Sequence, residues 1–424
     1  MQIKDMRVLL IDDCKLILRT SCVILKKIGF LPHNIDTANN ASIALSICKN
    51  RHIDILVVDY NLGESMNGLQ TLERFRYLGL LDHNPMIFVV TADNSISVLS
   101  GFSDFNPNGF LLKPLRGNNL HDAISSSIVD RKFEKSVMDS FLSSNLGTAL
   151  KLLPSAPTNK AHNNAITNLC VFLRKKGHND IALKMLNKFF DKSPSLNAIH
   201  LKIEVLITLK QFDEAEKIIT PLLAKFPNST KLKELHCQIL LHNGQYTLAF
   251  ELLSHIYKHA TYLISRLYSM VLIGTFFPSV DMGERAIPTI FTRIKASQWQ
   301  RPEVFTLLIW MFTLQPKRFN QKLVLPLSQI NPLAPKFREL AKIYLLSRSP
   351  DNKSDTKKSY LEMSNLSMSD DLFEQLLLKI MICKELEFDE ELSRLKKMAN
   401  YALKMEEDTL LKVVKAHTIN SLIK

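Results

Sequence analysis

Five times between Arg7 and Val129 a short apolar run is followed by a stretch of helical spacing, and no other feature restricts the possible folds as much. The runs are 8–11, 35–38, 53–58, 86–90 and 110–112, and the helical stretches are 16–28, 41–48, 69–78, 96–101 and 120–129. Runs of three to six residues are too short for buried helices, and five alternating units predict a doubly wound, five-stranded parallel sheet of the α/β class. In such a sheet the ligand site lies at the carboxyl ends of the strands, beside the switch in strand order. Residues directly after an apolar run are therefore site candidates: Asp12 and Asp13 after the first, Asp59 after the third, Thr91 after the fourth, and Lys113 with Pro114 after the fifth. Each also has a plain reading. Asp13 could cap the next helix, Asp59 could open a turn, and Thr91, Lys113 and Pro114 could be loop residues.

Taken together, in this order and at strand ends, these residues resemble the receiver domain of bacterial two-component response regulators over residues 5–128. The resemblance implies that Asp59 accepts a phosphoryl group and that Asp12 and Asp13 join it in binding Mg²⁺, with the backbone carbonyl of Asn61 as a further ligand. It also implies that Thr91 is the switch hydroxyl, Lys113 the phosphate-contacting lysine and Phe110 the switch aromatic. Pro114 corresponds to a proline that follows a cis peptide bond. The chemistry suits these residue types. Crowded carboxylates repel one another until a hard dication takes their oxygens, and an ammonium opposite the metal balances phosphoryl charge. The side chains of Asn61 and Asp93 stand where the family tunes loss of the phosphoryl group to water. The loop after Asp59 departs from the family pattern Asp-x-x-Met-Pro, since it lacks the proline. The phosphoryl donor implied is a sensor histidine kinase or a phosphotransfer protein.

After Val129 the strand-like runs stop. A connecting helix is predicted over 131–157, ending in Pro154-Ser-Ala-Pro157, and from Asn163 the chain repeats itself. Ala182, Ala215 and Ala249 are 33 and then 34 residues apart, and Pro194 and Pro227 repeat at 33. This period resembles the tetratricopeptide family over 163–260, in which a small residue lets paired helices approach, although the early Trp is lacking. Apolar residues at helical spacing continue to Leu422, broken by a polar stretch at 351–359. The expected organisation is a receiver domain at 1–128, a linker helix and connector at 129–160, and an all-α helical-repeat solenoid at 161–424.

Residues 1–128 hold 12 Lys+Arg and 12 Asp+Glu, so the whole net charge of +13 falls on the later part. That excess suits an acidic partner, though lysines dispersed over helices are also what a solvated face carries. No helix-turn-helix signature, cyclase motif, Walker loop or second metal constellation follows residue 129. The output is accordingly expected to be protein binding and not catalysis, with phosphorylation-gated nucleic-acid binding as the alternative. An acyl-phosphate hydrolase would need Asp-x-Asp, and position 61 is Asn. The six cysteines show no C-x-x-C spacing, which predicts reduced thiols. With no signal-peptide pattern, and with apolar stretches at 270–277 and 307–314 shorter than the roughly 20 residues of a spanning helix, no membrane association and a cytoplasmic location are expected.

Overall fold

The computed structural model describes residues 2–63, 66–81, 84–92, 102, 105–190, 195–259, 264–277, 280, 335–348, 353–364, 373–406 and 408–423. Asp93, Pro194, the helix candidate at 96–101 and the apolar stretch at 307–314 lie outside them. The chain forms two compact units, residues 1–235 and 236–424.

The first unit begins with five parallel strands, β1 (Val8–Ile11), β2 (Ile35–Ala38), β3 (Ile55–Asp59), β4 (Met86–Thr91) and β5 (Gly109–Leu112), in the order β2-β1-β3-β4-β5. Helices α1 (Lys15–Ile28), α2 (Ala41–Asn50), α3 (Gly68–Tyr77) and α4 (Gly117–Ser143) flank it. Alternation along the strands sorts the core into two layers. Val8, Leu10, Ile55, Val57, Phe88 and Val90 pack with Leu18 and Leu25 of α1 and with Leu120, Ile124 and Ile128 of α4. Leu9, Ile11, Leu56, Val58, Ile87 and Val89 pack on the opposite face with Ala44 of α2 and with Leu72 and Phe75 of α3. Each fully buried aliphatic side chain contributes roughly 1.5–3 kcal/mol. A one-residue slip would move every such side chain to the wrong face, which holds the register and so the alignment of the strand ends.

Helix α4 does not stop at the sheet. It runs unbroken through Val129 to Ser143, so the border expected at 128 falls inside a continuous helix. Its first half belongs to the sheet's core, while Val137 belongs to a second core with Ala149, Leu153, Ile166, Leu169 and Ala182. Asn145 caps a short helix, α5 (Leu146–Leu152), and Thr158 caps α6 (Asn159–Lys175), each accepting the hydrogen bond of a backbone N–H three residues on. The stretch 154–157 is therefore a turn packed onto a core, with Leu153 buried beside it.

Helix α6 pairs with α7 (Asn179–Phe190), and α8 (Leu196–Thr208) with α9 (Phe212–Lys225). Ala182 and Ala215 are fully buried where the pairs meet. Helix α10 (Thr230–His242) carries the chain across the unit boundary and precedes α11 (Tyr246–His259). Gly177, Lys210 and Gly244, spaced like the alanines, occupy the left-handed region at φ +84°, +61° and +73° in the three turns. In each turn the next residue's N–H reaches a carbonyl five residues back, closing the helix end.

In the second unit Cys237 and Ala249 reproduce a contact that Cys170 and Ala182 make in the first. Helices α12 (Ile264–Phe276), α13 (Pro335–Ser347), α14 (Lys353–Ser364), α15 (Phe373–Glu385), α16 (Asp389–Lys404) and α17 (Thr409–Ile423) complete it. The polar stretch expected to interrupt the helices is itself mostly helical, as the first half of α14, with Thr356 and Tyr360 turned inward. Arg266 pairs with Asp408 at 2.6 Å, which offsets the burial of both charges. No helix among the described residues is long and apolar enough to cross a membrane.

Candidate functional site

Ile11 lies beside Val58 in the sheet, so the residues that follow each, Asp12 and Asp59, leave adjacent strands together at the point where the strand order reverses. Asp12, Asp13 and Asp59 offer carboxylate oxygens within 4.8 Å of one another. Asp12 and Asp59 are buried, and Asp13 is exposed. The capping role open to Asp13 is not taken: Asp12 Oδ1 accepts the Cys14 N–H at 2.9 Å, and α1 starts without a side-chain cap.

Lys113 reaches into this cluster from just beyond β5. Its Nζ lies 2.7 Å from Asp59 Oδ2 and 2.9 Å from Asp12 Oδ2. Its backbone N–H donates to the Thr91 carbonyl at 3.0 Å, which fixes the stem of the side chain to the end of β4. The Lys113–Pro114 peptide is cis. Thr91 is buried, whereas Phe110 is 41 % exposed, so Phe110 is not an ordinary core aromatic. The Asn61 backbone N–H donates to the Asp59 carboxylate.

Burial is the largest influence on Asp59 and raises its pKa. The hydrogen bond and charge of Lys113 oppose this, the charge of Asp12 adds to it, and the net direction is upward. For Lys113 burial works against the ammonium, but hydrogen bonds and charge from Asp59 and Asp12 outweigh it and raise the pKa. One ammonium therefore serves two buried carboxylates with a third beside them, a surplus of negative charge that favours a cation.

Several residues that shape the site went unread in the sequence. A Cβ on Gly68 would stand 2.1 Å from the Asp59 carbonyl oxygen, so only glycine lets α3 start this close to β3. Asn67 and Gln70 cap that start reciprocally. Gly63, at φ +81°, turns the loop back beside Asp13. Phe102, fully buried, meets Tyr60 edge-on at 6.0 Å and Phe110 at 6.4 Å, linking the residue after Asp59 to the exposed aromatic. The glycines were visible signals, but the approaches that require them are not properties of sequence.

Residues 8–125 match the family model of the response regulator receiver domain. Among solved structures, the chain is similar to the chemotaxis protein CheY4 of Vibrio cholerae at 21% identity, covering 28% of this chain and 97% of that one, with a TM-score of 0.26. It is likewise similar to a CheY-like receiver domain protein from Methanospirillum hungatei at 22% identity, covering 30% and 98%, TM-score 0.28. A third is the receiver domain of a modulated diguanylate cyclase from Desulfovibrio desulfuricans, at 26% identity, covering 30% and 96%, TM-score 0.26. No curated protein matches the chain. The family match, on a five-stranded parallel sheet with acidic groups and a lysine at its carboxyl edge, makes residues 8–125 a response regulator receiver domain.

Proposed function

We propose that this chain is a response regulator that accepts a phosphoryl group on Asp59 from a histidine kinase or phosphotransfer protein, and that its helical part, tetratricopeptide-like in its period, passes the signal on by binding another protein. The observation that carries the reading is the convergence of Asp12, Asp13 and Asp59 around the Nζ of Lys113. The three clustered carboxylates supply only oxygen donors, which fits Mg²⁺, and Asp12, Asp13 and Asp59 would hold it together with the Asn61 backbone carbonyl. When bound, the ion neutralises phosphoryl oxygens and relieves repulsion among the carboxylates.

The chain's own residues do the rest. An Asp59 carboxylate oxygen attacks phosphorus in line, forming the O–P bond as the bond to the donor nitrogen breaks. Lys113, already hydrogen-bonded to Asp59, follows the charge onto the phosphoryl group. Thr91 then donates its hydroxyl hydrogen to a phosphoryl oxygen, and Phe110 moves from its exposed position toward the space vacated.

The loop ahead of Phe110 supplies the link to the helices. Lys160 Nζ of α6 donates to the carbonyls of Pro107 and Asn108 at 2.7 and 3.2 Å, and the Asn106 amide donates to Asn164 at 3.2 Å. On the other side of the sheet, Thr230 donates to Glu73 of α3 at 2.7 Å. A change at β5 therefore meets the helical part within two residues of Phe110.

Incubation of the full chain with acetyl phosphate and Mg²⁺ should add one phosphoryl group by mass spectrometry, and Asp59→Asn should abolish it. Undiminished labelling of that variant would refute the acceptor assignment. For the output, phosphorylated and Asp59→Asn chains should capture different proteins from the native cell; identical capture, with salt-sensitive binding to nucleic acid, would favour the alternative. The full chain is the right material, because a cut after 128 bisects α4.

A further inference from the structure

At the amino ends of β4 and β5, opposite the carboxylate cluster, a cleft of about 480 Å³ opens between the sheet and helices α4, α6 and α8. That is a size typical of small-molecule sites. Its walls are polar and carry cations. Arg131 of α4 has five N–H donors, and Asn84's carbonyl is its one hydrogen-bond acceptor among the described residues. Glu134, one turn further along α4, accepts from the Asn164 and Asn168 amides at 2.8 and 3.5 Å. Burial lowers the pKa of Arg131 and outweighs the opposing charges of Glu134 and Asp54.

Other charged and polar groups complete the lining. Arg76, its guanidinium 3.7 Å over the Phe105 ring, also lines the cleft. In a far corner Glu204 pairs with Lys231 at 2.5 Å, and Arg174, outside the lining, reaches the same carboxylate at 3.2 Å. His200 is held neutral, its pKa pushed by burial down to about 3. Ser127, 5 % exposed, and Asn197 have no side-chain hydrogen bond among the described residues. Most of the cleft's polar groups thus hold one another in place, while Arg131 keeps donors to spare beside Ser127 and Asn197.

We propose that this cleft binds a small organic anion of about mononucleotide size, its phosphate or carboxylate group on Arg131 and its polar remainder on Ser127 and Asn197. Guanidinium forks suit both anions, and Arg131 can offer paired N–H groups to either. The site lies at one end of β4 and β5, and Thr91 and Lys113 lie at the other. A bound anion would therefore act on the same two strands as the phosphoryl group, from the opposite side.

Calorimetric titration of the full chain with AMP, citrate and inorganic phosphate, with adenosine as the uncharged control, tests this. Binding of AMP or of citrate at one site, without adenosine binding, is the expected result; AMP alone identifies the phosphate class and citrate alone the carboxylate class. Arg131→Gln should weaken it on the order of ten- to a hundred-fold, the range for a charged hydrogen bond. Because that variant could perturb the fold, Asn197→Ala and Ser127→Ala serve as partners: each should weaken AMP or citrate several-fold without changing the ligand-free melting temperature. No binding of the three anions at millimolar concentration would overturn the proposal. So would binding that all three variants leave unchanged, including anion binding at the carboxylate cluster alone.

Discussion

Gly68→Ala tests how tightly Asp59, the proposed acceptor, is held. The added Cβ would lie 2.1 Å from the Asp59 carbonyl oxygen and 3.0 Å from both the Asp59 carbonyl carbon and Val58 Cγ1. Two of these three atoms are backbone, so a rotamer change cannot relieve the overlap. A tolerable carbon–oxygen contact requires α3 and β3 to separate by about 0.9 Å. Overpacking of this kind costs about 1–3 kcal/mol, and contact with backbone places this case at the upper end. The same displacement would reach Asp59 itself, and a misplacement near 1 Å costs on the order of 100-fold in rate when chemistry depends on alignment. The assay is the initial rate of acetyl-phosphate labelling with saturating Mg²⁺, paired with urea denaturation. A variant with wild-type rate and midpoint would show that α3 yields freely and that the close approach does not position Asp59.

Four further substitutions probe separate parts of the molecule. Asp13→Ala should weaken Mg²⁺ binding at least ten-fold by removing one carboxylate of the cluster, with the fold retained by circular dichroism, because Asp13 is exposed. Lys210→Gly should stabilise the chain by about 0.5–1 kcal/mol in urea and Gly177→Ala destabilise it by about 1–2, because both positions are left-handed and the added Cβ at 177 meets nothing within 4 Å. Lys160→Gln should leave the labelling of Asp59 unchanged while reducing any difference in partner capture between phosphorylated and unphosphorylated chains, since it loses the charged donor to Pro107 and Asn108.

The sheet was legible because its information is local. Period-two alternation within runs such as 86–90 states which face each side chain takes, and an apolar run's end states where a chemical group emerges. The alanine spacing was legible for a similar reason, since each helix pair repeats one packing problem. What escaped is non-local. Helix α4 changes partners at mid-length, from Ile128 on the sheet to Val137 in the helical core, and no punctuation marks the change, so a border at 128 looked natural. The turn at 386–388 is of the same kind as those at Gly177 and Gly244, with Glu387 at φ +57°, but without glycine it left no mark. Gly68 is read as a loop residue until β3 is placed beneath it.

The magnitudes also bear on how a signal from Asp59 would travel. If Phe110 moves inward, the loop ahead of β5 either leaves Lys160 behind or carries α6 with it. Two hydrogen bonds to an ammonium are together worth about 3–6 kcal/mol when broken without replacement. Driving a two-state equilibrium from 1:99 to 99:1 takes about 5.5 kcal/mol in all. Breaking the clamp would consume most of that, leaving little to hold the new state. Moving α6 with the loop keeps both bonds, and α6 is packed into one core with the second half of α4, so the displacement is shared by a block of helices. On these numbers a phosphoryl group on Asp59 would act on the helical part by displacing it and not by letting go of it, so amide exchange protection at Asn108, whose N–H donates to Ile87 and whose carbonyl Lys160 holds, should survive phosphorylation while the outer helices of the first unit change theirs.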